Sequence, residues 1–454
     1  MENTTVVSNK LPGSQKIGYL FSGVGYVFCM MIPTFVIYFS TQSLGLAIGA
    51  VSAMMAIVKV LDAFTDVIAG IIIDRTKTKN GKVRPWIIRA AIPYAACLAL
   101  LFSIPEGLGQ IVSLVLIAVL YALTVSVFGT MLGVARYAIV PLMTSNAKER
   151  GSLGALGDGV GAFLCGAGFA VTFPLIGMIG WRTTFLIYAV IAFVACLLCF
   201  LLVRENLGEI SEAVEADKKA STISFKDSFK AIFTNKYCLI LFLVTMCQQI
   251  TGGTFTTAGT YYFQYVVGDV SYYSKVMTIV MIGSLVAMIA MYFIAQKLSS
   301  KRIFLAGCII AAIFDVIIII SGGRNVPVLM ICMPLILIFG QVVLTSTFAP
   351  FAASAVDYSE ARTGVRAEGV TSAVTNLGIK LGVALATVIF GSLAAAAGFV
   401  SAAETQTQQA INAIHNALLF VPLIALIIIA LIVAIFYNIE KDITKAEAKR
   451  GTAS

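Results

Sequence analysis

Histidine is almost absent from this chain: His415 is the one copy in 454 residues. A zinc site built on imidazoles, or a triad with a histidine base, cannot be assembled from a single ring. No nucleophile–base pattern stands elsewhere, so the chain is not expected to be an enzyme, and neither a cofactor nor a metal is implied beyond a Na⁺ ion considered below. Charge is scarce as well. Asp, Glu, Lys and Arg make up 12% of residues, against ~25% in an ordinary soluble chain. The nine cysteines lie within or at the edges of apolar runs. Cys196 and Cys199 form a CxxC, but no second pair accompanies it, and they read as small core-packing residues. Basic residues interleaved with aromatics are missing, which excludes nucleic acid as the reason for the net charge of +9.

What is present is apolar sequence: 59% hydrophobic residues and a mean hydropathy of +0.96. Twelve runs are long enough to cross ~30 Å of hydrocarbon. They fall near 17–41, 45–73, 85–104, 109–142, 151–179, 182–203, 236–266, 272–299, 303–321, 327–355, 368–398 and 412–437. The expectation is an all-α membrane protein of twelve transmembrane helices in two six-helix halves, 1–203 and 236–454, joined by a charged connection, 204–235. The short polar segment before Lys16 does not read as a cleavable signal.

Lys and Arg placement sets the orientation. The 2–3 connection DRTKTKNGKVRPW holds five basic residues, and the central connection adds Lys218, Lys219, Lys226 and Lys230. Lys297, Lys301 and Arg302 follow span 8, and Lys441, Lys445, Lys449 and Arg450 lie in the tail. All fall on one side if both termini are cytoplasmic, in a multi-pass protein of the cytoplasmic (inner) membrane with the bilayer as its partner.

Span 2 carries charges where lipid should surround it: Lys59, Asp62 and Asp66 in AIVKVLDAFTDVIAGIII. Residues three and four apart share a helix face. Charges at that depth face a bundle interior or a wet cavity. One reading is a cation or proton site; the other is a buried Lys59–Asp62 pair. Two six-span halves around such a site suggest the major facilitator architecture, with solute at the midplane. Glycines at 151, 154, 157, 159 and 161 in span 5 suit close helix packing.

The span 2 block VLDAFTDVIAGIIIDRTKTKNGKVRPWII and the span 11 block VDYSEARTGVRAEGVTSAVTNLGIKLG resemble the signatures of the glycoside–pentoside–hexuronide:cation symporters, the family of the melibiose permease. The layout is similar along the whole chain. The resemblance implies that Asp62 and Asp66 bind a coupling cation, with Thr65 and Thr130 adding oxygen ligands. It places Lys380 beside the cation and sugar sites. Two carboxylates and two hydroxyls are hard oxygen ligands that suit Na⁺, and Lys380 can replace the cation's charge when the site is empty, with Lys59 beside it in the coupling group. Arg84, Asp357, Arg366 and Glu368 then belong to a cytoplasmic gate. A path carried in one chain implies a monomer.

Departures from the family pattern concern the solute. Tyr26 and Val27 stand where sugar carriers place a polar pair in span 1, and Gly133 replaces an acidic or amide residue in span 4. One turn on, Arg136 either pairs with Asp158 of span 5 or grips an anionic solute; a guanidinium suits a carboxylate. Tyr26, Arg136 and Tyr137 are candidate solute contacts, with Asn376 one turn before Lys380. Polar span 7 adds Gln248, Gln249 and Thr251, and its Gly252-Gly253 pair is a candidate helix break. The implied function is secondary symport, in which Na⁺ or H⁺ influx drives uptake of a glycoside- or uronide-like solute by alternating access. The alternatives are the same machine carrying an amphipathic anion such as a lysolipid, and a non-transporting membrane sensor or enzyme.

Overall fold

The structure, a computed structural model, describes residues 11–76, 78–144, 146–205, 235–363, 368–439 and 442–443. Every regular element among them is helical. Four helices open the chain: α1 (Gly13–Gln42), α2 (Ile48–Arg75), α3 (Arg84–Leu101) and α4 (Gln110–Met143). The run Ala147–Leu202 is two helices, α5 (147–179) and α6 (181–202), parted at Gly180, whose φ of 78° lies in the region that favours glycine. After the central connection come α7 (Lys236–Val267), α8 (Ser271–Ile294), α9 (Ser300–Ile320), α10 (Val326–Arg362), α11 (Glu368–Ala396) and α12 (Gln408–Phe436). Ten described runs are long and apolar enough to cross a membrane. One of them holds both α5 and α6, and α2 with its charges completes the twelve. The central connection, apart from residues 204, 205 and 235, lies outside the described residues.

Three of these helices widen into π turns: Ala122–Gly129 in α4, Tyr262–Val267 in α7 and Ile338–Val343 in α10. A π turn shifts the register of everything beyond it, and such turns gather at functional sites. Here they set the directions of Thr130 and Gln341. Gly252 and Gly253 do not break α7, contrary to the expectation from sequence; Lys236–Tyr261 is one continuous α-helix. Their missing side chains serve packing instead. A Cβ on Gly252 would meet the Gln341 amide at 2.6 Å, and one on Gly253 would lie 2.7 Å from Ala386 of α11. Inside a bilayer an intact helix also satisfies its own backbone, which glycine in water need not do.

The first six helices meet the last six along α1–α7, α2–α11 and α5–α8. Contact is tight on the face away from the termini. There Tyr38 donates to Gln264 at 2.7 Å, Tyr261 reaches the Ile37 carbonyl at 3.0 Å, and Ser401 donates to the Leu46 carbonyl at 2.6 Å. Toward the terminus-bearing face the contact of α5 with α8 is looser. Gly166, Gly159 and Ser152 recur every seven residues on one stripe of α5. A Cβ on Gly166 would press on Met281 at 2.9 Å and one on Gly159 would stand 3.7 Å from Met288, while Ser152 is exposed.

Candidate functional site

The charged stripe of α2 points at α11. Lys380 of α11 places its Nζ 2.6 Å from Asp66 Oδ2 and 3.2 Å from Asp62 Oδ2. The same ammonium donates to the Asp62 backbone carbonyl at 2.7 Å. Lys59 stands further off, 3.8 Å from Asp62 Oδ2. Thr130, just beyond the α4 π turn, donates to Asp62 Oδ1 at 2.8 Å. Thr65 donates to the Asp62 carbonyl at 3.0 Å, so its hydroxyl serves the helix and not a carboxylate in this state. Asp62 is buried, whereas the Asp66 side chain is 38% exposed. The pair therefore has one sealed and one wet member.

Glycine brings α11 into this position. At Gly378 and Gly382 a Cβ would collide with Thr245 and the Met246 carbonyl of α7. At Gly391 it would collide with Ser52 of α2. The backbone thus packs closely on both neighbours and holds Lys380 between them. Two carboxylates, Lys380 and Lys59 leave the cluster electrically neutral. Within this cluster Asp62 Oδ1 and Oδ2, its carbonyl, Asp66 and the Thr130 hydroxyl are oxygen groups that a small cation could share if the Lys380 ammonium withdrew.

Arg136 lies on the adjoining wall. Its side chain is 5% exposed, and its Nη2 donates to Asp158 Oδ1 at 2.9 Å across α4 and α5. Asp158 is 56% exposed and also accepts from the Tyr137 hydroxyl at 3.2 Å. Of the two sequence readings, the structure shows the ion pair. Gly157 makes room for it: a Cβ there would meet Tyr19 at 2.7 Å and Arg136 Nη2 at 3.2 Å. Arg136 Nε is buried without a partner. Tyr26 packs flat on Gly133, where a Cβ would come within 2.8 Å of its ring. Single Arg136→Ala and Asp158→Ala variants are expected to lose thermal stability unequally, the second more, because it strands the buried cation. The double variant should recover part of that loss, since a lone buried charge is worse than none. Strictly additive losses in a thermal-melt cycle would show that the pair is not coupled.

The opposite wall comes from α7, α10 and α11. Gln248 is buried and donates to Gln341 Oε1 at 2.6 Å, while Gln341 donates back to the Gln248 carbonyl at 2.9 Å. Thr345 beside them is exposed, as is Asn376 of α11. Gln249 is half-buried against Gly382. Thr251 does not join this wall. It is buried, donates to the Cys247 carbonyl at 3.3 Å and faces the interior between α7, α9, α10 and α12. Gln341 escaped the sequence reading; a lone amide in LILIFGQVVL was the available signal.

At the terminus-bearing face Arg84 is held within the first six helices. Its Nε donates to the Phe200 carbonyl at 2.7 Å, and the Glu205 carboxylate accepts from the backbone N–H groups of Lys82, Val83 and Arg84. Gly81 lets the loop close around that carboxylate, with φ of 102° and no room for a Cβ. Asp357 is exposed near the end of α10. Arg366 and the side chain of Glu368 lie outside the described residues.

Two helical bundles meet at a cluster of charges set within apolar helices, the layout of a membrane carrier. A profile of the family described as MFS/sugar transport protein matches residues 18–441, and the chain belongs to that family. It is 26% identical over 451 residues to the isoprimeverose transporter of Lactiplantibacillus pentosus, covering 96% of this chain and 91% of that protein. It is 27% identical over 464 residues to the lactose permease of Lactobacillus helveticus, covering 94% of this chain and 70% of that one. The crystal structure of a D-xylose–proton symporter superposes with a TM-score of 0.67 at 13% identity, over 94% of this chain and 98% of the other. That likeness shows the major facilitator fold. The protein is a secondary transporter of this superfamily and not an enzyme.

Proposed function

We propose that this protein couples influx of Na⁺ or H⁺ to uptake of a neutral glycoside-like solute, working as a monomer in the cytoplasmic membrane with both termini inside. The observation that carries the reading is the Lys380 ammonium lodged between Asp62 and Asp66. It spans the two bundles, so whatever displaces it changes how they hold together. A coupling cation carries the charge that Lys380 now supplies. With the cation bound, Lys380 is freed toward the solute, and the halves rock about the loaded site. The looser contact of α5 with α8 on the terminus-bearing side supports a state open to the cytoplasm.

The solute class follows from charge. Arg136 is neutralised by Asp158, and Lys380 by the two aspartates. An anionic solute held by Arg136 would have to break the pair with Asp158, which disfavours a uronide or lysolipid gripped by that guanidinium. Exposed Asp158, Tyr137 and Asn376, with the Gln248–Gln341 amides, suit sugar hydroxyls. The relatives named for isoprimeverose and lactose support a sugar. The coupling ion is the only non-solute ligand in this scheme; no cofactor takes part.

A thermal-shift screen of purified protein tests the reading. Neutral glycosides should raise the melting temperature, and more so with the coupling cation present. A ligand at a hundred times its Kd adds about 2.7 kcal/mol of stability by mass action. Stabilisation by lysolipid or uronide alone, with no neutral sugar effective, would contradict it.

A further inference from the structure

The middle of α9 holds a carboxyl that the coupling site does not use. Asp315 lies in IIAAIFDVIIII, is 2% exposed and makes no ion pair or hydrogen bond among the described residues. Its Oδ2 is sealed off without a partner. Beside it is a small cavity of about 20 Å3 between α7, α9, α10 and α12, whose lining is mostly apolar, Phe255, Met333 and Leu418 among it, with Thr251 at its edge. A water needs roughly 10–15 Å3 by this measure and some polar partners. Thr251 is the other polar side chain there, and its hydroxyl, donating to the Cys247 carbonyl, keeps its acceptor lone pairs.

Among the described residues no cation of a neighbouring element pairs with Asp315. From α7 comes Tyr262, whose hydroxyl donates to the Gly323 carbonyl. From α12 comes His415, stacked on Tyr262 with ring centroids 5.9 Å apart. Among the described residues Arg324, in the 9–10 turn, forms no ion pair with Asp315. The α10 face presents Met333, Ile336 and Leu337. An ionised carboxylate would have neither a cation nor a donor for Oδ2. A carboxylic acid needs one acceptor for its hydroxyl, and a water in the cavity would supply it.

We propose that Asp315 is a proton-binding site of the second bundle, separate from Asp62 and Asp66, whose acid hydroxyl donates to a single water that in turn donates to Thr251. The link ties α9 to α7, the helix that carries Gln248. Loss of the proton places an unpaired charge in an apolar interior and loosens that tie.

Infrared spectroscopy of the purified full-length protein, in water and deuterium oxide across pH, tests this. A protonated-carboxyl stretch should persist in Asp62→Asn and Asp66→Asn and vanish in Asp315→Asn. Thr251→Val, which keeps Asp315, should shift the stretch by weakening its hydrogen bond. A wild-type spectrum whose protonated-carboxyl signal is wholly removed by the Asp62 and Asp66 variants overturns the proposal. So does a protonated-carboxyl signal that is unchanged in Asp315→Asn.

Discussion

Asp62→Asn is expected to reduce gradient-driven solute accumulation to background while leaving part of the solute exchange. The amide keeps the shape and can still accept from Thr130, but it cannot hold a cation. It also leaves Lys380 and Lys59 with one carboxylate, the wetter Asp66, to share. Breaking a buried pair by removing one partner typically costs ~3–5 kcal/mol. Part of that is relieved here because Lys380 retains Asp66 at 2.6 Å. Asp66→Asn should abolish accumulation equally with a smaller loss of stability, because that carboxylate is 38% exposed. The check is uptake of labelled solute in cells with matched amounts of carrier in the membrane. Normal accumulation by both variants would refute the cation assignment.

Lys380→Ala has the opposite signature. It removes the ammonium shared by the two carboxylates and leaves Lys59, 3.8 Å from Asp62 Oδ2, to offset both, so a cation or a proton is drawn to the site. Cation binding should tighten, and solute affinity should cease to depend on added cation. Lys380→Arg should not rescue coupling. The ammonium serves three oxygens at 2.6, 2.7 and 3.2 Å from one point, which a planar fork cannot reproduce. The measurement is the ratio of solute affinities with and without cation. A ratio in Lys380→Ala equal to that of the wild type would remove the switch role.

The residues that could be read in advance share one property: they are expensive. A charge inside an apolar run stands out because lipid penalises it, so Lys59, Asp62, Asp66, Arg136 and Lys380 were visible from sequence, and the structure brings Lys59, Asp62, Asp66 and Lys380 into one cluster. Span limits were legible for the same reason, including the break between α5 and α6 at Gly180. The pairing of Arg136 was not legible. Asp158 is 22 residues away, and only the packing of α4 on α5 chooses between a partner and a solute. Gln341 was hidden because an uncharged amide costs little and a π turn has no sequence signature. The Gly252-Gly253 pair misled because glycine marks both breaks and close approaches, and the partner that it admits, Gln341, lies 89 residues further along the chain.

Purified protein in sealed vesicles, with labelled glycoside at equal concentration on both sides, tests the central claim most directly. An imposed inward gradient of Na⁺ or of H⁺ is then the sole driving force. The account predicts transient accumulation above the outside concentration under one of these gradients, abolished by an ionophore for that cation and missing in Asp62→Asn. Solute that remains at equal concentration under every cation gradient, while still exchanging freely across the membrane, would contradict it.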